Sequence, residues 1–124
     1  MAELTEYEQK LLQGWEDVHN KGQLSLWILL ALKDGSKHMS HIKEFIARMT
    51  NHILVPDDKS VYRALRRFKA SELVSFKLVP SSAGPDLKIY ELTCTGSTVL
   101  QAFLRRNIDG ILYQPRVLKL IQGK

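Results

Sequence analysis

Ser60-Val61-Tyr62-Arg63-Ala64-Leu65-Arg66-Arg67-Phe68-Lys69-Ala70-Ser71-Glu72-Leu73-Val74-Ser75-Phe76 joins an apolar helical stripe, a run of cations and an immediate passage into a strand. On a wheel turning about 100° per residue, Val61, Ala64, Leu65 and Phe68 gather on one side. Lys59, Arg63, Arg66 and Ala70 point the opposite way, with Tyr62 and Arg67 on the flanks. No acid lies between Lys59 and Ser71, while Asp57 and Asp58 stand just ahead, where a helix N-terminus favours negative charge. A helix packed by one face and cationic on the other fits the major groove of DNA. The competing reading is an ordinary solvated surface helix, so the surroundings of this stretch decide.

Working backwards, Pro56 suits the approach to the basic helix, and Ile53 to Pro56 reads as a connector. Before it, Met39 to Asn51 predicts a helix with Ile42, Phe45, Ile46 and Met49 inward. Leu24 to Lys33 is apolar nearly all round and ends at Asp34-Gly35, a helix stop, which makes it the expected centre of the core. Thr5-Glu6-Tyr7-Glu8 has the form of a capping box. Behind it Tyr7, Leu11, Leu12, Trp15 and Val18 predict a first helix over about 5–19, closed by Asn20-Lys21-Gly22.

Working forwards, Leu73 to Val79 alternates as a strand, residues 80–86 are turn chemistry, and Leu87 to Thr93 returns as the second strand of a hairpin. Thr95 then suits the cap of a last helix striped by Val99, Leu100, Phe103 and Leu104. Beyond it Ile108, Ile111, Leu112, Val117, Leu118, Leu120 and Ile121 keep the tail apolar. The fold class expected is mainly α with a small β-hairpin: a winged helix-turn-helix with extra N- and C-terminal helices. The expected organisation is one domain over 1–124, with its core at 24–95 and helices at 1–22 and 96–124 left for dimerisation. The turn of the hairpin is the wing, flanked by Lys77 and Lys88.

Composition agrees without deciding. The 124 residues are 44% hydrophobic and 25% charged, which is ordinary for a globular chain. The formal net charge of +5 is unevenly placed: acids dominate residues 1–20 and only cations occupy 59–69, so a polyanion would meet the middle. The single cysteine, Cys94, excludes an internal disulfide, suggests a reducing compartment and reads as a small buried side chain. No apolar run reaches the roughly 18 residues of a membrane span, and no secretory pattern opens the chain, so a cytoplasmic protein is expected.

Three stretches together resemble the PadR family of bacterial transcription regulators. Leu26-Trp27-Ile28-Leu29-Leu30-Ala31-Leu32-Lys33-Asp34-Gly35 is similar to the family's opening core helix, and Ser60 to Phe68 to its recognition helix, with the Ser-x-Tyr-x-x-Leu pattern intact. Lys88-Ile89-Tyr90-Glu91-Leu92-Thr93-Cys94-Thr95-Gly96 is similar to its second wing strand and the turn after it. There are departures. Met39-Ser40-His41-Ile42 replaces the usual Gly-Tyr pair, Glu72 stands where a glycine is usual, and only 96–124 remains of the long C-terminal dimerisation region. The resemblance implies a homodimeric repressor on a pseudo-palindromic operator.

On this reading Arg63 and Arg66, near the centre of the exposed face, are the candidates for base edges, because arginine to guanine is the commonest specific contact. Arg67, Lys59 and Lys69 are expected at phosphates, with Ser60 beside them and Lys77 and Lys88 at the wing. Tyr62 either donates to a phosphate or covers the core with its ring. Tyr7, Leu11, Trp15, Val18, Phe103, Leu104, Ile108, Ile111 and Leu112 exceed what one small core needs and are the candidate dimer surface. His38 and His41 read as surface histidines, since tetrahedral zinc needs four ligands and nothing nearby completes the set. Trp15 and Trp27 read as core or interface packing. No cofactor, metal or membrane partner is expected, an effector is not indicated, and no catalytic motif is present. A winged-helix protein-interaction module is the alternative function; the arginine-rich face argues for duplex DNA instead.

Overall fold

Thr5 opens the longest helix of the computed structural model, which describes residues 3–123. The capping box forms: Glu8 N–H donates to Thr5 Oγ1 at 3.1 Å, and Thr5 N–H donates to Glu8 Oε1 at 2.9 Å. Helix α1 (Glu6–Asp34) then runs unbroken for 29 residues, about 43 Å at 1.5 Å per residue. The expected break at Asn20-Lys21-Gly22 is not there. A glycine inside a helix costs about 1 kcal/mol, less than unwinding a turn and nucleating a second helix. The C-terminal half of α1 buries Ile28, Leu29, Ala31 and Leu32, whereas the turns before it are exposed.

Helix α2 (Met39–Met49) is capped by His38, whose Nδ1 accepts from Ser40 N–H, and buries Ile42, Phe45 and Ile46. Met49, expected inward, is 55% exposed because the helix ends there and the chain leaves through Asn51 and His52 in left-handed conformations. Buried Pro56 leads to α3 (Asp58–Ala70), whose buried residues are Val61, Ala64 and Leu65. Strands β1 (Val74–Ser81) and β2 (Gly84–Leu92) form one antiparallel hairpin, with a register irregularity between Val79 and Ser81. The strands consume most of the expected turn, leaving Ser82 and Ala83 at the tip.

Helix α4 (Cys94–Phe103) is capped by Thr93, whose Oγ1 accepts from Gly96 N–H at 2.9 Å, and not by Thr95. Starting one residue beyond the cap, Cys94 is exposed; the expectation of a buried thiol fails because it sits in the first turn, outside the packed stripe. A π-helical segment (Leu104–Leu112) and α5 (Pro115–Gln122) complete the chain.

The core lies where α1, α2, α3 and the base of the hairpin meet. Ile28, Ile42, Ile46, Val61 and Leu65 are fully inaccessible, and each such side chain contributes about 1.5–3 kcal/mol by leaving water. A short bridge ties the wing to this body: Lys37 N–H donates to Tyr90 O at 3.1 Å, and Tyr90 N–H to Lys37 O at 2.9 Å. The fold is a winged helix with a helical extension at each end, as the order of elements predicts.

Candidate nucleic-acid interface

Asp57 sets the start of α3. Its carboxylate accepts from Ser60 N–H at 2.7 Å. That backbone hydrogen bond, helped by the Ser60 side chain and by the positive charges of Arg63 and Lys43, holds the Asp57 carboxyl below its usual range. Asp58 adds an ion pair with Lys43 of α2, linking the two helices of the helix-turn-helix. At the other end Ser71 N–H donates to Arg67 O, and Glu72 follows in a left-handed conformation with φ 64°. The chain then turns directly into β1.

With Val61, Ala64 and Leu65 inward, Lys59, Arg63, Arg66, Arg67 and Lys69 are all exposed. They do not all look the same way. Lys59 and Arg63 occupy the middle of the outer face. Arg66 and Lys69 share the side turned towards the wing with Tyr62, and line a recess with Phe76, Lys88 and Tyr90. The Arg66 guanidinium lies 5.9 Å from the Tyr62 ring centre. Half-buried Ser60 sits on the other flank, towards α1, and its backbone serves the Asp57 cap. Tyr62 is 43% exposed, so its ring covers less of the core than one of its two readings supposed.

The two wing lysines part company. Lys77 pairs with Ile89 and Lys88 with Leu78, so strand parity puts them on opposite faces of the hairpin. Lys77 points away and lies 3.9 Å from the Glu91 carboxylate. Lys88 faces α3, with its ammonium 4.8 Å from the Phe76 ring centre and 5.8 Å from that of Tyr62. Phe76 and Tyr90 are residues that sequence reasoning left out of the site. Period-2 parity would have put them on one face with Lys88, but only once the register was known. Burial pushes the Tyr90 phenol up from its ordinary value, and the Tyr62 hydroxyl nearby adds to it.

The apolar ends stand apart from this face. Tyr7, Leu11, Trp15 and Val18 are 70%, 55%, 74% and 71% exposed along the N-terminal half of α1. Phe103, Ile111 and Leu112 are exposed too, whereas Leu104 and Ile108 are half-buried. Leu120 and Ile121 of α5 are exposed as well. His38 and His41 stack at 3.9 Å between ring centres, and no group of three or more metal-ligating residue types occurs among the described residues. No helix among them is long and apolar enough to cross a membrane.

A recognition helix with a free cationic face, set against a two-stranded wing, defines a winged-helix DNA-binding architecture. The model of the PadR-like family of transcriptional regulators matches residues 28–102, and the chain belongs to that family. A PadR-like transcriptional regulator from Bacillus cereus is 25% identical, with 84% of this chain and 96% of that one covered at a TM-score of 0.67. A PadR-like transcription factor from Bacteroides fragilis is 26% identical over 79% of this chain and 98% of that one, TM-score 0.60. Bacillus subtilis PadR, solved in complex with operator DNA, shares the fold at 20% identity, covering 68% of this chain and 48% of that one, TM-score 0.62. The comparison with curated proteins returned no match.

Proposed function

We propose that this transcriptional regulator is a sequence-specific repressor that binds duplex DNA in the cytoplasm as a homodimer on a pseudo-palindromic operator. The observation that carries the DNA reading is the acid-free exposed surface of α3, which carries five cations from Lys59 to Ser71. The B. subtilis relative, solved with operator DNA, supports it by analogy of fold. Arg63, at the middle of that face, is assigned to base edges. Lys59 and Arg67 are assigned to phosphates, which set register without reading sequence.

The apolar ends support two-fold symmetry. Trp15, Val18, Leu120 and Ile121 stay exposed on two helices, which supports a partner surface there. A second copy, laying its own α1 and α5 against them, makes an isologous interface and presents two recognition helices to two half-sites.

The test is selection of bound duplexes from a random pool, followed by titration at several salt concentrations. If each subunit neutralises about three to five phosphates, log K should fall against log salt with a slope of about −5 to −9 for the dimer. A slope near zero, or no duplex binding at low salt, would favour a protein-interaction module instead.

A further inference from the structure

The recess between α3 and the wing measures about 460 Å³ and is walled by Tyr62, Arg66, Lys69, Phe76, Lys88 and Tyr90. Three cations converge on it from two elements: Arg66 and Lys69 from the helix, Lys88 from the inner face of the hairpin. None of the three has an acidic partner within 4.0 Å among the described residues, and Glu72, on the rim, is the one acid lining the recess. The aromatic rings hold the cationic heads without neutralising them. Lys88 rests against Phe76 and Tyr62, Lys69 lies 5.8 Å from the Phe76 ring centre, and Arg66 lies beside Tyr62. Like charges gathered on one opening repel one another, and an anion placed among them relieves that repulsion.

When a recognition helix occupies the major groove and a wing reaches for the neighbouring minor groove, the sugar-phosphate strand dividing the two grooves runs between helix and wing. Resting on the DNA-binding reading above, we propose that this recess seats one phosphodiester of that strand. Arg66, Lys69 and Lys88 hold its non-ester oxygens, and the rings of Tyr62 and Phe76 lie against the adjoining sugar. Arg66 is then a phosphate clamp and not a base reader, contrary to the expectation from its place on the helical wheel. Lys88 acts from the wing on the same phosphate, so that helix and wing grip one backbone position jointly.

The experiment uses the full-length protein and an operator duplex taken from the selection, with single methylphosphonate linkages walked along one half-site to remove one backbone charge at a time. Wild type should lose about tenfold or more in affinity at one linkage. Arg66→Ala and Lys88→Met should weaken operator and scrambled duplex alike, lower the salt slope by less than about one unit each because they share one phosphate, and lose part of the sensitivity at that linkage. Arg63→Ala should keep that sensitivity and lose base discrimination. Lys69→Ala, at an exposed helical position, repeats the measurement should Lys88→Met fail to fold. Loss of base discrimination by Arg66→Ala, or full sensitivity at every linkage in the Arg66 and Lys69 variants, overturns the clamp while leaving DNA binding intact. Failure of wild type to bind any duplex overturns the DNA reading and the clamp with it.

Discussion

Lys37 and Tyr90 exchange both of their backbone hydrogen bonds, at 3.1 and 2.9 Å, so the wing is joined to the body by a residue just past the end of α1. The Lys37 side chain completes the joint. Its ammonium donates to Ala31 O at 2.8 Å, Gly35 O at 3.2 Å and the Asp34 carboxylate at 2.8 Å, and lies 4.9 Å from the Phe45 ring centre. It thereby satisfies carbonyls left without partners at the helix C-terminus. Lys37→Met keeps the stem but removes the donors, and should lower unfolding free energy by about 1–3 kcal/mol in urea titrations. Unchanged stability would show that water replaces the ammonium at no cost.

Gly96 is where α4 crosses the start of β1. A Cβ built there meets Leu73 O at 1.9 Å and Leu73 C at 2.9 Å, both backbone atoms that no rotamer change moves aside. Gly96→Ala should therefore cost about 3 kcal/mol or more, the upper end of overpacking penalties. Thermal unfolding followed by circular dichroism measures it, and a melting temperature equal to wild type would refute the close approach.

Glu72 occupies a left-handed conformation, φ 64°, at the family's glycine position. Left-handed backbone costs a residue with a Cβ about 1–2 kcal/mol, so Glu72→Gly should stabilise the fold by about 1 kcal/mol after glycine's greater chain entropy is counted. The same change removes the acid from the rim of the helix–wing recess and should raise duplex affinity. A loss of stability would mean that the carboxylate makes a compensating contact.

Asp57 makes the recognition helix pH-sensitive at its start. Its folded pKa lies below the ordinary carboxylate value because the charged form accepts from Ser60 N–H. The stabilisation is therefore fully present above the unfolded value of about 4 and is lost as pH falls through the lower folded value. Asp57→Asn keeps a capping oxygen without the titration. Urea midpoints from pH 6 down to 2 should fall more steeply for wild type than for Asp57→Asn; parallel curves would assign the acid sensitivity to other carboxylates.

The apolar ends predict self-association. Sedimentation at micromolar concentration and moderate salt should give twice the 14.2 kDa chain mass. Trp15→Glu, at a 74% exposed position, should shift the protein towards monomer without unfolding it. A wild-type monomer under those conditions would remove the dimer from the functional proposal.

Much of this organisation was legible along the chain, because local signals and burial agreed there. The capping box at Thr5, the stop at Asp34-Gly35 and the stripe Val61, Ala64, Leu65 each place an element without reference to any other. Where they disagreed, the context of the whole element decided. Gly22 and its neighbours read as a stop, yet α1 passes through them. Met49 fits the inward pattern of α2 but lies beyond the packed stretch, and Cys94 falls in a first turn open to solvent.

The same division holds for the candidate site. By itself the amino-acid sequence determined that one helix would bury an apolar stripe and turn arginines outward, and that a hairpin would follow it, since helical and strand periods depend only on backbone geometry. Which arginine stands at the middle of the outer face and which turns to the wing was decided only in three dimensions. The hairpin's register puts Phe76, Lys88 and Tyr90 on the face turned to α3 and Lys77 on the other, and the packing of that face against the helix turns Arg66 and Lys69 into a shared recess. A one-residue shift in pairing would send each of those wing side chains to the opposite face.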